Sequence, residues 1–169
     1  MVQKMFRKTN AFSTINNVVY DAFVCYSSQD QAWVHEQLWM TLEEKYELTL
    51  CIHERDFMPG IDIQDNIVQC LEESRNTILV LSESFVESRW CQWEARLARN
   101  KLLDSPHFRD NLIMVLLDDV NILKPKMNDT LRSLLDMKTY LQYPTNKERQ
   151  PLFWLRLNNA IIDQKKAHI

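Results

Sequence analysis

Glycine is almost absent from this chain of 169 residues, in which Gly60 is the only one. The dinucleotide-binding fingerprint and the Walker loop both need several glycines, because the backbone must approach phosphate groups closely. The nucleophile elbow of the α/β-hydrolases, G-x-S-x-G, also needs two glycines around its serine. The sequence therefore argues against a dinucleotide-dependent dehydrogenase, a P-loop ATPase and a hydrolase of that type.

The sequence also lacks an excess of basic residues, paired cysteines and long apolar runs. The net charge of -3 argues against nucleic acid as the main partner, which usually requires a basic surface. The four cysteines lie far apart, without a C-x-x-C pair or a zinc-like spacing to histidine, and we expect reduced thiols, no metal and no cofactor. No run approaches the roughly 18 apolar residues of a membrane span. A soluble, cytosolic chain is expected, and this is compatible with a chain cut from a larger protein.

Short apolar runs alternate with longer amphipathic segments along the chain. The runs occupy residues 22–26, 48–52, 77–81 and 112–117, with a weaker one at 139–141. Apolar runs that lack alternation are typical of strands buried on both faces, and their alternation with helices indicates a parallel sheet. We predict an α/β fold, a flavodoxin-like three-layer sandwich in which a five-stranded parallel sheet has helices on both faces.

The sequence divides into one domain with two short ends. Residues 1–18 are polar and include the basic Lys4, Arg7 and Lys8, which is typical of a linker or of a segment just inside a membrane. Residues 19–163 contain all the predicted strands and helices. Residues 164–169 are predicted to be a C-terminal tail.

A stiff turn is predicted between the second strand and the following helix. Pro59 and Gly60 suit the two central positions of a type II turn, because proline presets φ and glycine supplies a positive φ. Phe57 and Met58 precede this turn. They either fold back onto the core or form an exposed apolar tip beside charged residues, which is the composition of a protein-binding hot spot.

A second feature is the pair Trp90 and Trp93, followed by Glu94. Their spacing fits one face of a helix, and we interpret the two tryptophans as core residues. Glu94 is interpreted as an exposed charge or a structural hydrogen-bond acceptor.

Four blocks of the sequence resemble the TIR domain, which is shared by Toll-like receptors, interleukin-1 receptors and cytosolic adaptors. YDAFVCYS at residues 20–27 is similar to the family's first strand motif, and RDFMPG at residues 55–60 is similar to its docking loop. Phe153-Trp154 resembles the third box of the family, and residues 81–91 are close to the Toll-like receptor version. The blocks occur in family order and spacing, and together they span nearly all of residues 20–163.

The resemblance implies a signalling domain that associates with other TIR domains and recruits TIR-containing adaptors, without catalysis. We use "docking loop" for residues 53–61. The residues that the resemblance assigns to partner binding are Arg55, Asp56, Phe57, Met58, Pro59 and Gly60 and, less directly, Asp62, Gln64 and Asp65, with the Trp90 helix as a further contact face. The expected partners are the TIR domains of adaptors and of a second receptor chain. The expected location is the cytoplasmic side of a single-pass receptor whose membrane span is absent from this chain.

Two alternatives remain open on the sequence. Some TIR domains cleave NAD with a glutamate on the helix after the third strand, and Glu94 matches that position. Toll-like receptors carry a similar motif, however, and are generally regarded as non-enzymatic. The chain is alternatively a free-standing adaptor rather than part of a receptor.

Overall fold

The computed structural model describes residues 18–166, with side chains to residue 163. Its sheet has five parallel strands in the order β2-β1-β3-β4-β5. The strands are β1 (Tyr20–Cys25), β2 (Leu50–Cys51), β3 (Ser74–Leu81), β4 (Leu112–Leu116) and β5 (Tyr140–Gln142). The predicted flavodoxin-like sheet is confirmed.

Helices connect and follow the strands within the described residues 18–166, and short 3-10 turns at Lys124–Lys126 and Lys147–Arg149 adjoin two of them. Helix α1 consists of Ser28–Asp30, Gln31–Trp33 and Val34–Lys45, beginning with a 3-10 turn and continuing with π-type hydrogen bonding. Helix α4 consists of Phe85–Arg89 and Trp90–Arg99. The others are α2 (His53–Asp56), α3 (Ile63–Glu72), α5 (Pro106–Asp110), α6 (Val120–Leu123), α7 (Asp129–Met137) and α8 (Gln150–Lys166).

The sheet separates two hydrophobic cores. Phe23 of β1 points into the core formed with α3, α4 and α7, whereas the next residue, Val24, points into the core formed with α1 and α8. Successive side chains of a strand face opposite sides, so a central strand covered on both sides is apolar throughout. This explains why the strand runs show no polar alternation.

The docking loop leaves the sheet from an edge strand. Strand β2 is only two residues long and pairs with β1 through Leu50 opposite Ala22 and Cys51 opposite Phe23. The loop therefore begins at the carboxyl end of the sheet, where open α/β folds place their binding sites. It ends at α3, which packs against β1 and β3.

Some local details differ from the sequence predictions. The sequence motif Ser28-Gln29-Asp30-Gln31 predicts a cap at Ser28, but it is the side chain of Ser27 that caps the start of α1, by accepting a hydrogen bond from the Gln29 N–H. Helix α8 continues to Lys166, three residues into the segment assigned to the tail. Residues 1–17 and 167–169 lie outside the described part of the chain, as does most of the predicted basic segment. Within the described part, every helix is too short or too polar to cross a bilayer.

Candidate protein-docking site

The docking loop begins as a helical turn rather than as open chain. In α2, the Asp56 N–H donates to the Ile52 carbonyl at 2.8 Å. The Asp56 carboxylate in turn accepts a hydrogen bond from the Ile52 N–H, also at 2.8 Å. The first is an ordinary helical bond. The second acts as a capping interaction, because it satisfies the Ile52 N–H, which precedes the helix and has no partner within it.

Arg55 fastens this turn to the body of the domain. Its guanidinium forms a two-point ion pair with the largely covered Glu43 carboxylate of α1 at 2.9 and 3.0 Å. It also donates to the Leu50 carbonyl at 2.6 Å and to the Asp56 carboxylate at 2.9 Å. The group lies 4.3 Å from the centre of the Trp39 ring, within cation–π range. Arg55 thus joins α1, β2 and α2.

The electrostatics of Arg55 follow from these partners. Burial acts to lower the pKa of Arg55, but the hydrogen bonds to Glu43 and Asp56 outweigh it and raise the pKa above its ordinary value. The guanidinium remains charged in any case. Its role in this structure is to neutralise two carboxylates that would otherwise be poorly solvated.

Glu54 anchors the other side of the turn. Its carboxylate accepts a hydrogen bond from the Tyr26 hydroxyl and lies 2.9 Å from His53 Nε2 and 3.5 Å from His35 Nε2. Burial acts to raise the pKa of Glu54, but the Tyr26 hydrogen bond and the two histidines leave it below its ordinary value. Burial lowers the pKa of His53. The turn is therefore held by charged side chains on both sides.

Phe57 is turned toward the core. It is half-buried and packs against the α3–α4 side of the sheet, with its ring centre 6.2 Å from that of Phe23 and 5.9 Å from that of His53. The sequence allowed Phe57 either to fold back onto the core or to be exposed at the tip, and the structure places it against the core.

The Pro59–Gly60 turn has the predicted geometry. Gly60 has φ = 83°, close to the value required at the third position of a type II turn. The Ile61 N–H donates to the Met58 carbonyl at 3.4 Å, which closes the turn. An added Cβ at Gly60 would meet no atom within 4 Å, so the need for glycine comes from the backbone angle alone.

The outer part of the loop exposes an apolar patch. Met58 is 43% exposed, Ile61 is 39% exposed and Ile63, at the start of α3, is 58% exposed. Pro59 and Gly60 are exposed between them. We call Met58, Ile61 and Ile63 the apolar tip.

The predicted polar contacts after the loop lie at the start of α3. Asp62 caps this helix by accepting a hydrogen bond from the Gln64 N–H at 2.8 Å. Asp65 is exposed in the first helical turn, where a negative charge is favourable. The Gln64 amide donates to the Arg96 carbonyl at 3.2 Å and links α3 to α4. Asp62 and Asp65 thus form an acidic rim beside the apolar tip.

Most of this chain matches a known protein family. The model of the TIR domain matches residues 22–151, which include the sheet strands, the docking loop and the start of α8. The chain belongs to the TIR domain family.

The relatives of this TIR domain include Toll-like receptors. Toll-like receptor 13 of Mus musculus is 35% identical over 167 residues, covering 95% of this chain and 17% of that receptor. Toll-like receptor 2 of Canis lupus familiaris is 43% identical over 147 residues, covering 86% of this chain and 18% of that receptor. The chain thus spans less than a fifth of the length of these receptors.

Solved structures show the same fold. The TIR domain of the Toll-related receptor TRR-2 from Hydra magnipapillata matches with a TM-score of 0.64 and 26% identity, over 85% of this chain and 99% of that one. A metazoan TIR-STING receptor from C. gigas, in complex with 2',3'-cGAMP, matches with a TM-score of 0.61 and 26% identity, over 88% of this chain and 41% of that one.

The second predicted feature of the TIR domain lies on α4. Trp90 and Trp93 are buried, which confirms their interpretation as core residues. The Trp90 indole N–H donates to the Asn128 side-chain oxygen at 3.1 Å, and the Asn128 amide donates to the Glu94 carboxylate. Asn128 also caps α7, since its side chain accepts a hydrogen bond from the Leu131 N–H. Glu94 therefore serves here as an acceptor that braces the start of α7.

Two important residues of the docking region were not identified from the sequence. Glu43 looked like one of several surface charges of α1, and only the fold brings it to Arg55. Asn66 is buried in α3 and bonds to the docking loop. A signal for Asn66 does exist, because a polar residue next to Ile67 on the apolar face of a helix requires a buried partner.

Proposed function

We propose that this TIR domain is the cytoplasmic signalling domain of a Toll-like receptor and that it acts by binding other TIR domains, including those of adaptors. The outer part of the docking loop and the first turn of α3 form the contact surface. The partners are a second receptor chain and adaptors that carry the same domain, and the chain performs no catalysis. A single membrane span outside this chain would connect the domain to its receptor.

The observation that supports this proposal is the apolar tip on a fixed turn. Three large apolar side chains, Met58, Ile61 and Ile63, are exposed close together in sequence and beside the acidic rim. An apolar centre with a polar border is the usual composition of a binding hot spot. The turn is held by internal bonds, so little conformational entropy is lost when a partner binds.

The inner residues of the predicted contact set contribute indirectly. Arg55, Asp56 and Phe57 are engaged with the domain itself, and in this proposal they hold the tip in position. Of the predicted residues, Met58, Pro59 and Gly60 and the acidic rim make direct contacts in this proposal, together with Ile61 and Ile63 of the apolar tip.

The engagement of Glu94 supports a non-enzymatic role. Its carboxylate already accepts the Asn128 amide hydrogen bond that helps to fix α7. This structural role explains the presence of Glu94 at this position without a role in NAD cleavage. Nicotinamide release from NAD by the concentrated domain, lost in Glu94→Ala, would contradict the proposal.

Truncation of the apolar tip tests the proposed function. Met58→Ala should weaken self-association of the domain about tenfold, as expected for a hot-spot side chain, with little change in stability. The measurement is sedimentation velocity over a range of protein concentrations, repeated with an added adaptor TIR domain.

A matched control is Met137→Ala, because Met137 is 59% exposed at the end of α7. It should leave association unchanged. Equal effects of the two substitutions, or none from Met58→Ala, would remove the docking role of the tip.

A further inference from the structure

Asn66 is a polar residue on the buried side of α3. It is 5% exposed and lies beside the core residues Ile67 and Cys70. Asparagine is a poor residue for the interior of a helix, and a buried amide is costly unless it is hydrogen-bonded. The Asn66 side chain forms hydrogen bonds with main-chain groups of Met58 and Ile61 in the docking loop and of Asp62, the first residue after it.

The Asn66 amide binds both main-chain groups of Met58. The Met58 N–H donates to Asn66 Oδ1 at 2.9 Å, and Asn66 Nδ2 donates to the Met58 carbonyl at 3.2 Å. This is the pairing that a residue of a neighbouring strand would provide. The Met58 N–H needs an acceptor, so Oδ1 rather than Nδ2 of Asn66 must face it, and this fixes the orientation of the amide.

The same amide reaches the far end of the turn. Nδ2 lies 3.3 Å from the Ile61 carbonyl and 3.4 Å from the Asp62 carbonyl. One side chain therefore holds the residues on both sides of Pro59 and Gly60. The turn itself has only the 3.4 Å bond from the Ile61 N–H to the Met58 carbonyl, so Asn66 supplies most of its hydrogen bonding.

We propose that Asn66 is the positioning residue of the docking loop, which sets the shape of the Met58–Ile61 turn and the direction of the apolar tip. Asn66 itself is buried and does not touch the partner. This inference rests on the proposed function, since a fixed tip matters for association only if the tip binds. It assigns control of the docking surface to α3.

Side-chain chemistry explains why other residues would not replace asparagine. Alanine removes both the acceptor for the Met58 N–H and the donors for the carbonyls. Aspartate keeps the acceptor but places carboxylate oxygens against the Met58, Ile61 and Asp62 carbonyls. Only an amide of this length supplies an acceptor and two donors at once.

Amide hydrogen exchange of the unaltered domain provides the first test. The Met58 N–H belongs to a residue with an exposed side chain, yet the hydrogen bond to Asn66 should slow its exchange about tenfold relative to the Gly60 N–H. Asn66→Ala should remove this protection while β3 stays protected. Equal exchange of Met58 and Gly60 in the unaltered domain would overturn the inference without any variant, even if Asn66→Ala failed to fold.

Self-association of the variants provides the second test. Asn66→Ala should weaken association about tenfold, because an unfixed turn must be ordered on binding. Asn111→Ala is the matched control: Asn111 is also buried and its amide binds the His107 carbonyl of α5, away from the loop. It should lower stability and leave association of the folded fraction unchanged.

The outcomes separate the two proposals. Weaker association in both Met58→Ala and Asn66→Ala, with faster Met58 exchange in the latter, supports both. Weaker association in Met58→Ala alone overturns the positioning role and leaves the docking role intact. If Asn111→Ala weakens association as much as Asn66→Ala, the effect is one of general stability and the inference fails.

Discussion

The docking loop has two halves that differ in burial and in the direction of their side chains. In the inner half, residues 53–57, the side chains face the domain: Arg55 pairs with Glu43, and Phe57 packs near Phe23. In the outer half, residues 58–61, every residue is exposed and Met58 is fixed only through its backbone. A continuous sequence motif therefore contains a buried support followed by an exposed contact surface.

The difference shows how a small loop can be both rigid and free to bind. The side chains that hold the inner half already form hydrogen bonds, ion pairs or ring contacts within the domain, so few of their groups are available to a partner. Side chains of the outer half make few internal contacts, so binding a partner does not disrupt the fold. Substitutions in the inner half should lower stability, and substitutions in the outer half should mainly affect association.

Arg55→Ala should have the largest effect on stability. Removing the guanidinium leaves the largely covered Glu43 carboxylate without its two-point partner and removes the hydrogen bond to the Leu50 carbonyl. Because the Arg55 side chain is 25% exposed and Glu43 keeps the Trp39 and Leu50 N–H donors, we expect the free energy of unfolding to fall by about 3 kcal/mol, the lower end of the range for breaking a buried ion pair from one side. Urea denaturation followed by fluorescence measures this change.

The control for Arg55→Ala is Lys124→Ala. Lys124 forms an ion pair with Asp136 at 2.7 Å, but both side chains are about half exposed. Exposed pairs contribute only about 0–1 kcal/mol. Similar losses in the two variants would show that Arg55 is a surface residue and that the inner half is not a support.

Phe57→Ala should have an intermediate effect. The ring is half-buried against Phe23 and His53, so its loss should cost about 2 kcal/mol, less than the 3–5 kcal/mol of a fully buried phenylalanine. Thermal and urea unfolding give the value. If stability is unchanged and association is lost, Phe57 is a contact residue rather than part of the support.

Gly60→Ala should have the smallest effect on stability of the three. A φ of 83° places alanine in the left-handed region, which costs about 1 kcal/mol, and the added Cβ has open space around it. Gly60→Asn should cost less, because asparagine tolerates this region better. If alanine costs no more than asparagine, the turn has relaxed to another shape, and association should then be tested on both variants.

Much of the fold follows from local sequence. The run from Ala22 to Cys25 is apolar at every position, which indicates a strand covered on both faces, and the structure confirms it. Pro59-Gly60 predicts its turn because each residue restricts its own backbone. The short strand β5 was only weakly indicated, since an exposed edge strand lacks a continuous apolar pattern.

The division of the docking loop did not follow from local sequence. Arg55, Asp56 and Phe57 look like a charged and aromatic surface when only their neighbours are considered. Their direction depends on Glu43, which lies 12 residues earlier in the chain, and on Phe23, which lies on another strand. The same holds for Asn66, whose partners are set by how α3 packs beneath the loop.

The sequence by itself determined the alternation of strands and helices, the rigid turn and the family. Periodicity and backbone preference are local properties, and the order of motifs can be followed along the chain without knowledge of the fold. The tertiary structure decided which residues of the motif face inward and which face outward. That decision depends on long-range partners, since a charged or aromatic side chain turns inward only where the fold supplies a matching group. For this TIR domain those groups are Glu43 for Arg55, Phe23 for Phe57 and the Asn66 amide for the backbone of Met58.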